Sequence, residues 1–238
     1  MNARRVWVFL ARRLSREEYL GLHLTVGLLL SLCLLGGFVA IARSVEGHRQ
    51  LTRFDETLGL RLQKQREASP LTRAVLVGVT ELGSVPAMAG LALFVALILL
   101  VRRQRLLAIV WLIAPAGGGL LDMALKRFFE RDRPPFHDPA IQTTTLSFPS
   151  GHSMGSVVGY GLLAYLLVLV LPSRWARLAV VLGLGLLVLA IGFSRVYLGA
   201  HYVSDVLGGF AVGGFWLAAC ISGLEAIRRK PRQPKEEE

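Results

Sequence analysis

The stretch PSGHSMGSVVGYGLLAYLLVLVLPS, residues 149–173, decides what kind of chain this is. From Ser153 to Ser173 it carries no charge. A helix needs about 20 mostly apolar residues to cross a bilayer, and this run supplies them. The pattern recurs outward from it. Uncharged runs occupy Leu24–Ala42, Leu82–Val101, Leu106–Leu121, Leu178–Ser194 and Val206–Leu224, each followed by a charged residue. The shorter runs can continue into their charged ends. The expectation is therefore an all-α, polytopic membrane bundle of six transmembrane helices. The second span should begin earlier, near Thr72, and bend at Gly83, Ser84 and Pro86. About 30 residues cannot cross a bilayer twice, so this region counts as one span. Ala40-Ile41-Ala42 matches a signal-peptidase site, but the apolar run before it is too long for a signal sequence, so the first helix is expected to be retained.

Composition agrees. Of 238 residues, 53% are hydrophobic and only 18% charged, against about 25% charged in soluble domains. This excludes disorder, coiled coil and a disulfide scaffold. Cys33 and Cys220 both lie in apolar runs, read as small buried hydrophobes, and show no zinc-ligand spacing. The net charge is +11. In a membrane protein such an excess gathers in cytoplasmic segments, so it calls for no nucleic acid.

Arginine placement gives an orientation. Arg4, Arg5, Arg12, Arg13 and Arg16 precede the first span, Arg102, Arg103 and Arg105 follow the second, Arg174 and Arg177 follow the fourth, and Arg228, Arg229, Lys230, Arg232 and Lys235 follow the sixth. Six spans put all four segments on one side, expected to be the cytoplasm. The organisation reads as a cytoplasmic segment 1–21, a transmembrane domain 22–225 and a charged cytoplasmic tail 226–238. Leu51, Phe54, Leu58 and Leu62 have helical spacing in the first outward segment, which suits either an amphipathic helix on the membrane or an ordinary packed surface helix. Gly155/Gly159 and Gly209/Gly213 have the spacing that lets helices approach closely.

The outward segments carry the chemistry. Lys126, Arg127, Arg131 and Arg133 cluster at the outer end of span three, where topology does not call for them, and imply an anionic partner. Lys126 and Arg133 are seven apart, close to two helical turns, so they share a side if the helix persists; Pro134 then ends it. Pro149-Ser150-Gly151-His152 opens a helix whose free N–H groups form an anion site. Gly151 permits close approach, Ser150 offers a hydroxyl, and His152 can move a proton. His201 and Asp205 are four apart, one turn on one helical face, and a carboxylate beside a histidine fixes its tautomer. Phosphoryl transfer needs positioning and charge compensation more than covalent help. Three cations and helix N–H groups can supply that, and no carboxylate cluster is present to hold a metal.

Together, Lys126-x6-Arg133-Pro134, Pro149-Ser150-Gly151-His152 and Ser194-Arg195-x5-His201-x3-Asp205 resemble the three signature motifs of the type 2 phosphatidic acid phosphatase (PAP2) superfamily. The resemblance covers residues 126–205, fills every motif position, and implies a PAP2/haloperoxidase-like helical core. It implies that His201 is the nucleophile forming a phosphohistidine, that Asp205 orients it, and that His152 protonates the leaving oxygen and later activates water. Lys126, Arg133 and Arg195 would bind phosphoryl oxygens, assisted by Ser150 and Gly151. The expected reaction is metal-independent, without cofactor, on a lipid phosphate or diphosphate whose tail stays in the bilayer.

By family analogy the favoured substrate is undecaprenyl diphosphate. Phosphatidylglycerophosphate, phosphatidate and lipid A phosphates are the alternatives. A lipid phosphotransferase would share the chemistry, and a non-enzymatic lipid transporter or scaffold is the rival of a different class. Asp122, one turn before Lys126, reads either as its functional partner or as plain charge compensation. Glu81 is expected near the outer half of span two or at its bend, with no specific role. Tyr197, Tyr202 and Phe148 read as interfacial anchors.

Overall fold

A computed structural model of the chain describes residues 19–47, 50–139, 141 and 145–228. The arginines predicted to mark the cytoplasmic N-terminal segment, and all of the predicted tail beyond Arg228, lie outside these residues. Among the described residues there are eight helices and no strand: α1 Tyr19–Glu46, α2 Gln50–Ala68, α3 Pro70–Glu81, α4 Val85–Val101, α5 Arg105–Phe129, α6 Gly151–Val170, α7 Arg174–Tyr197 and α8 Val203–Arg228.

Five of these, α1 and α5–α8, are long and apolar enough to cross a membrane alone. The sixth crossing is the pair α3 and α4, bent by 43° where they meet. The sequence explains the bend. Ser84 caps α4 by accepting from the Ala87 N–H, and Pro86 stands in its first turn, where a missing N–H does no harm. The expected span from Thr72 with a bend at Gly83–Pro86 is thus present, though as two helices rather than one kinked one. The chain is a multi-pass membrane protein. Leu93, Phe94, Leu97, Ile113, Leu120 and Leu186 are exposed on the outside of the bundle, where an apolar solvent must cover them.

α8 is the packing axis. α1 lies along one side of it and α6 along another. Phe38, Ala42 and Val45 of α1 are buried in a cluster with Phe148, Met154 and Val212. The α6–α8 contact uses glycine: a Cβ on Gly209 would come within 2.6 Å of the Ser150 carbonyl oxygen, and one on Gly213 within 3.0 Å of that of Met154. Backbone meets backbone there, which holds the start of α6 against the start of α8.

Of the two readings of the first outward segment the packed surface helix holds, while the expectations for Phe148, Tyr197 and Cys33 need correction. α2 buries Asp55, Gly59, Leu62 and Arg66, one face at helical spacing, while Phe54 is exposed. α2 is therefore a surface helix packed on the bundle through polar residues as much as apolar ones. Phe148 is not an interfacial anchor; it is fully buried, stacked on Phe38 and edge-on to Phe129. Tyr197 is buried too. Cys33 is an exposed thiol, not a buried one.

Gly209→Leu should force α6 and α8 apart. Overpacking of this kind costs about 1–3 kcal/mol, read as a lower thermal midpoint in detergent. Gly36→Ala, where a Cβ would meet nothing within 4 Å, should leave the midpoint unchanged or raise it.

Candidate active site

α5, α6 and α7 end or begin at the same level of the bundle, and their ends enclose a cavity of about 590 Å³. Lys126, Arg133, Gly151, His152, Arg195 and His201 line one end of it. The other end runs between α4, α5 and α6 to Leu93, Trp111 and Leu112, apolar throughout. Trp111 and Lys126 are 15 positions apart on one helix, about 22 Å of axial rise.

Each polar group arrives by a local rule. α5 stops at Phe129 because Glu130 takes a left-handed conformation at φ 45°. The helix therefore does not persist to Arg133, contrary to the spacing argument. Residues 131–134 are non-helical, as the residue before a proline prefers, and this segment folds back over the site. Arg133 is fixed there by donating to the Thr145 carbonyl at 2.5 Å and the Ala200 carbonyl at 2.7 Å. Burial holds its pKa below the ordinary guanidinium value.

His201 likewise precedes its helix rather than lying on it, since α8 starts at Val203. The turn that presents it needs Gly199, which has φ +68° and stands where a Cβ would sit 2.7 Å from the Phe136 carbonyl oxygen. The N–H groups of Ala200 and His201 both donate to the Arg195 carbonyl, which joins the end of α7 to the histidine. Arg133 Nη1 lies 3.2 Å from His201 Nε2. A guanidinium can only donate, so Nε2 must accept and the proton sits on Nδ1. Nδ1 faces Asp205 Oδ2 at 3.4 Å, an ion-pair approach too loose to make a hydrogen bond. Burial pushes the His201 imidazole down to about 3, against the raising effect of Asp205. The resting side chain is thus neutral, with its Nε2 lone pair toward the cations.

Asp205 is fully buried and heavily held. It accepts from Arg131 Nη1 at 2.5 Å, from the Tyr202 N–H at 2.9 Å and from the Ser147 hydroxyl. Arg131 also reaches Asp55 of α2 at 3.1 Å and lies 4.3 Å from the Tyr202 ring centre. Asp55 in turn accepts from the Ser204 N–H at 3.1 Å and from its hydroxyl. One part-buried arginine therefore bridges two fully buried carboxylates.

Arg195, nearly buried, donates to Thr80 Oγ1 of α3 at 2.9 Å and leaves its Nε without a partner. Lys126 Nζ is 2.6 Å from Asp122 Oδ2. Gly151 begins α6 beside them: a Cβ there would lie 3.0 Å from both Lys126 Nζ and Asp122 Oδ2. Its lack of a side chain opens the helix N-terminus to an anion.

Of the residues named from sequence, Lys126, Arg133, Gly151, His152, Arg195 and His201 converge on the cavity, and Asp205 backs His201. Ser150 does not join them. It is fully buried as the N-cap of α6, with its hydroxyl turned to the Ser153 N–H and hydroxyl. A serine ahead of a helix is spent on capping the free N–H groups. Glu81 is exposed at the α3–α4 break. Sequence reasoning missed Asp55, Thr80 and the bridging role of Arg131. Arg131 was visible as a charge, but its partners are 76 and 74 positions away. Among the described residues no group of three or more His, Cys, Asp or Glu is placed to hold a metal ion.

A six-span bundle with cations and two histidines at the mouth of an apolar lane defines a membrane enzyme acting on lipid-borne phosphate. The PAP2 superfamily model matches residues 106–229, so the chain belongs to that superfamily and is a lipid phosphatase. It is 36% identical over 166 residues to phosphatidylglycerophosphatase B of Bacillus subtilis (strain 168), covering 69% of this chain and 80% of that one. It is 40% identical over 108 residues to lipid A 1-phosphatase of Rhizobium etli (strain ATCC 51251 / DSM 11541 / JCM 21823 / NBRC 15573 / CFN 42), covering 41% and 42%. Its fold superposes with a TM-score of 0.77 on the crystal structure of a transmembrane PAP2 type phosphatidylglycerolphosphate phosphatase from Bacillus subtilis, at 30% identity over 84% of this chain and 98% of that one.

Two tests follow from the buried charges. Arg131→Ala strands Asp55 and Asp205 and should lower stability by about 3–5 kcal/mol; adding Asp55→Asn should recover part of the loss. His201 has a folded pKa of about 3, below its unfolded value of about 6.5. Between those values the unfolded chain binds the extra proton. The stability this gives is complete above about 6.5 and is lost as pH falls toward 3. His201→Gln should flatten that part of the thermal midpoint against pH.

Proposed function

We propose that the chain removes the terminal phosphate of phosphatidylglycerophosphate through a phosphohistidine on His201. The observation that carries this reading is the single cavity joining a cluster of cations and histidines to an apolar lane between helices. A phosphate monoester at one end and an acyl tail along the other occupy it together. The long match to phosphatidylglycerophosphatase B supports this headgroup. Undecaprenyl diphosphate, which family analogy favours, takes second place because neither of the reported relatives is named for it.

The lipid phosphate draws the Arg133 Nη1–H off His201 Nε2 and so frees that lone pair, with Lys126, Arg195 and the Gly151 N–H taking the other phosphoryl oxygens. The His201 Nε2 lone pair attacks phosphorus while the bond from phosphorus to the leaving alcohol oxygen breaks. His152, protonated once the bound phosphate offsets the cations around it, gives that oxygen its proton. The new phosphoimidazolium keeps Nδ1–H toward Asp205, whose negative charge offsets the positive ring. His152, now neutral, then takes a proton from water as the water oxygen attacks phosphorus. The phosphorus–nitrogen bond breaks and its pair returns to Nε2, releasing inorganic phosphate. Fixed cations compensate oxygen charge throughout, so the reaction proceeds without a metal. The site faces outward from the cytoplasmic membrane, with both termini cytoplasmic.

Purified protein should release phosphate from phosphatidylglycerophosphate in the presence of chelator. His201→Ala should abolish release. His152→Ala should reduce it by about 10²–10⁴-fold and, under acid-free quench, accumulate protein-bound phosphate on His201. Loss of activity with chelator, or full activity in His201→Ala, sinks the mechanism. Phosphate recovered on a lipid or sugar acceptor instead of in solution identifies a phosphotransferase.

A further inference from the structure

Arg127 is a cation inside the first motif that the catalytic cavity does not use. Gly119, Asp122 and Lys126 share one stripe of α5 and line that cavity. Met123 and Arg127, one turn apart on the next stripe, line a second cavity of about 750 Å³. The chain after the helix closes this second hollow with Arg133, Pro135 and Thr145. Lys126, Arg133 and Thr145 line both cavities and so form the wall between them. Arg127, Pro135, His137 and Thr145 are all exposed, so the second cavity is a basin that opens outward.

The charge in this basin is unbalanced. Among the described residues Asp132 is the one acid that lines it, against Lys126, Arg127, Arg131 and Arg133. Arg131 is spent on Asp55 and Asp205, and Lys126 is shared with Asp122. Arg133 donates to carbonyls, to the Thr145 hydroxyl and to His201, so no carboxylate holds it. Arg127 makes no hydrogen bond or ion pair among the described residues. A cation in the last turn of a helix is favourable against the helix dipole, which explains a charge at position 127. It does not explain a cationic hollow beside that charge, with a wall in common with the catalytic cavity.

The two cavities suit different chemistry. The lane between α4, α5 and α6 is apolar and takes a tail, and a phosphate dianion stripped of water along it would be costly. The basin offers water and an uncommitted guanidinium, which matches phosphate oxygens as a fork. We propose that Arg127, with Lys126 and Arg133, forms a second phosphate-binding site on the outward side of the catalytic cavity. Its ligand is a phosphate group, carried either by inorganic phosphate leaving the reaction or by the phosphodiester of a neighbouring bilayer lipid. The inference goes beyond the function proposed above and needs no particular lipid substrate. A hydrogen bond to a charged partner of this kind corresponds to about 10-fold in affinity.

Equilibrium dialysis of the full-length protein against radiolabelled inorganic phosphate, in dodecyl maltoside micelles, counts the phosphates bound per chain. Wild type should bind two. Arg127→Gln, a change at an exposed position, should weaken one site by about 10-fold. Arg195→Ala removes a side chain that lines the catalytic cavity and not the basin, so it should weaken the other site, and the double variant should lose both. Phosphatidylserine added to the micelles names the source. A second phosphate still bound assigns the site to free inorganic phosphate. A second phosphate displaced from wild type, with no such effect in Arg127→Gln, assigns it to a lipid phosphodiester. Equal binding by wild type and Arg127→Gln, or loss of one and the same phosphate in both single variants, overturns the proposal and leaves Arg127 as a helix-end charge. Should Arg195→Ala fail to fold, wild type against Arg127→Gln still decides. Absence of phosphate release from every lipid defeats the function proposed above and leaves this count untouched.

Discussion

Arg131 between Asp55 and Asp205 is the constraint on which the outer half of this molecule depends. The two buried carboxylates would each be expensive alone, and the arrangement is tolerable only while the arginine between them is present. Their placement ties three separate pieces of chain into one body: the surface helix α2, the segment after α5, and the start of α8. Ser147, Ser204 and the Tyr202 N–H also donate to the two carboxylates, which are fully buried. His201 rests against this cluster. Asp205 stands on one side of its ring and Arg133 on the other.

The same economy of charge shapes the side that faces the cavity. Lys126, Arg133 and Arg195 come from three different elements, and each is held by a different neighbour. Lys126 has Asp122, Arg133 has the carbonyls of Thr145 and Ala200, and Arg195 has Thr80. Neutral partners dominate, so most of the positive charge remains available. The helix N-terminus at Gly151 adds fixed N–H dipoles without adding a side chain. In a low-dielectric setting, such preorganised groups act more strongly than the same groups in water.

Much of this was legible in the sequence, for identifiable reasons. The six spans follow from uncharged runs, and the bend between α3 and α4 from Gly83, Ser84 and Pro86. The converging residues Lys126, Arg133, His152, Arg195 and His201 were visible because their spacing is local within each motif. The local geometry was less so. The motifs predict helical registers for Lys126 with Arg133 and for His201 with Asp205, and neither register exists. A left-handed Glu130 breaks the first, and the second fails because α8 begins only at Val203, after His201. Ser150 was read as a substrate group although a serine in front of a helix has a prior use as its cap. Asp55 and Thr80 left no sequence signal. Each is an isolated polar residue in an unremarkable helix, and its meaning comes only from a partner more than 70 positions away.

The turn at Glu130 has a consequence for how the first motif should be understood. Lys126 belongs to a rigid helix, whereas Arg133 belongs to a segment pinned to the loop at Thr145 and to the turn at Ala200. The two cations are thus mounted on different supports and joined by a short strap. Their seven-residue interval measures the reach of that strap and carries no helical phase. One residue more would slacken it and one fewer would pull Arg133 off its carbonyls. A helix could answer such a change by rotating; this strap could answer only by coming loose.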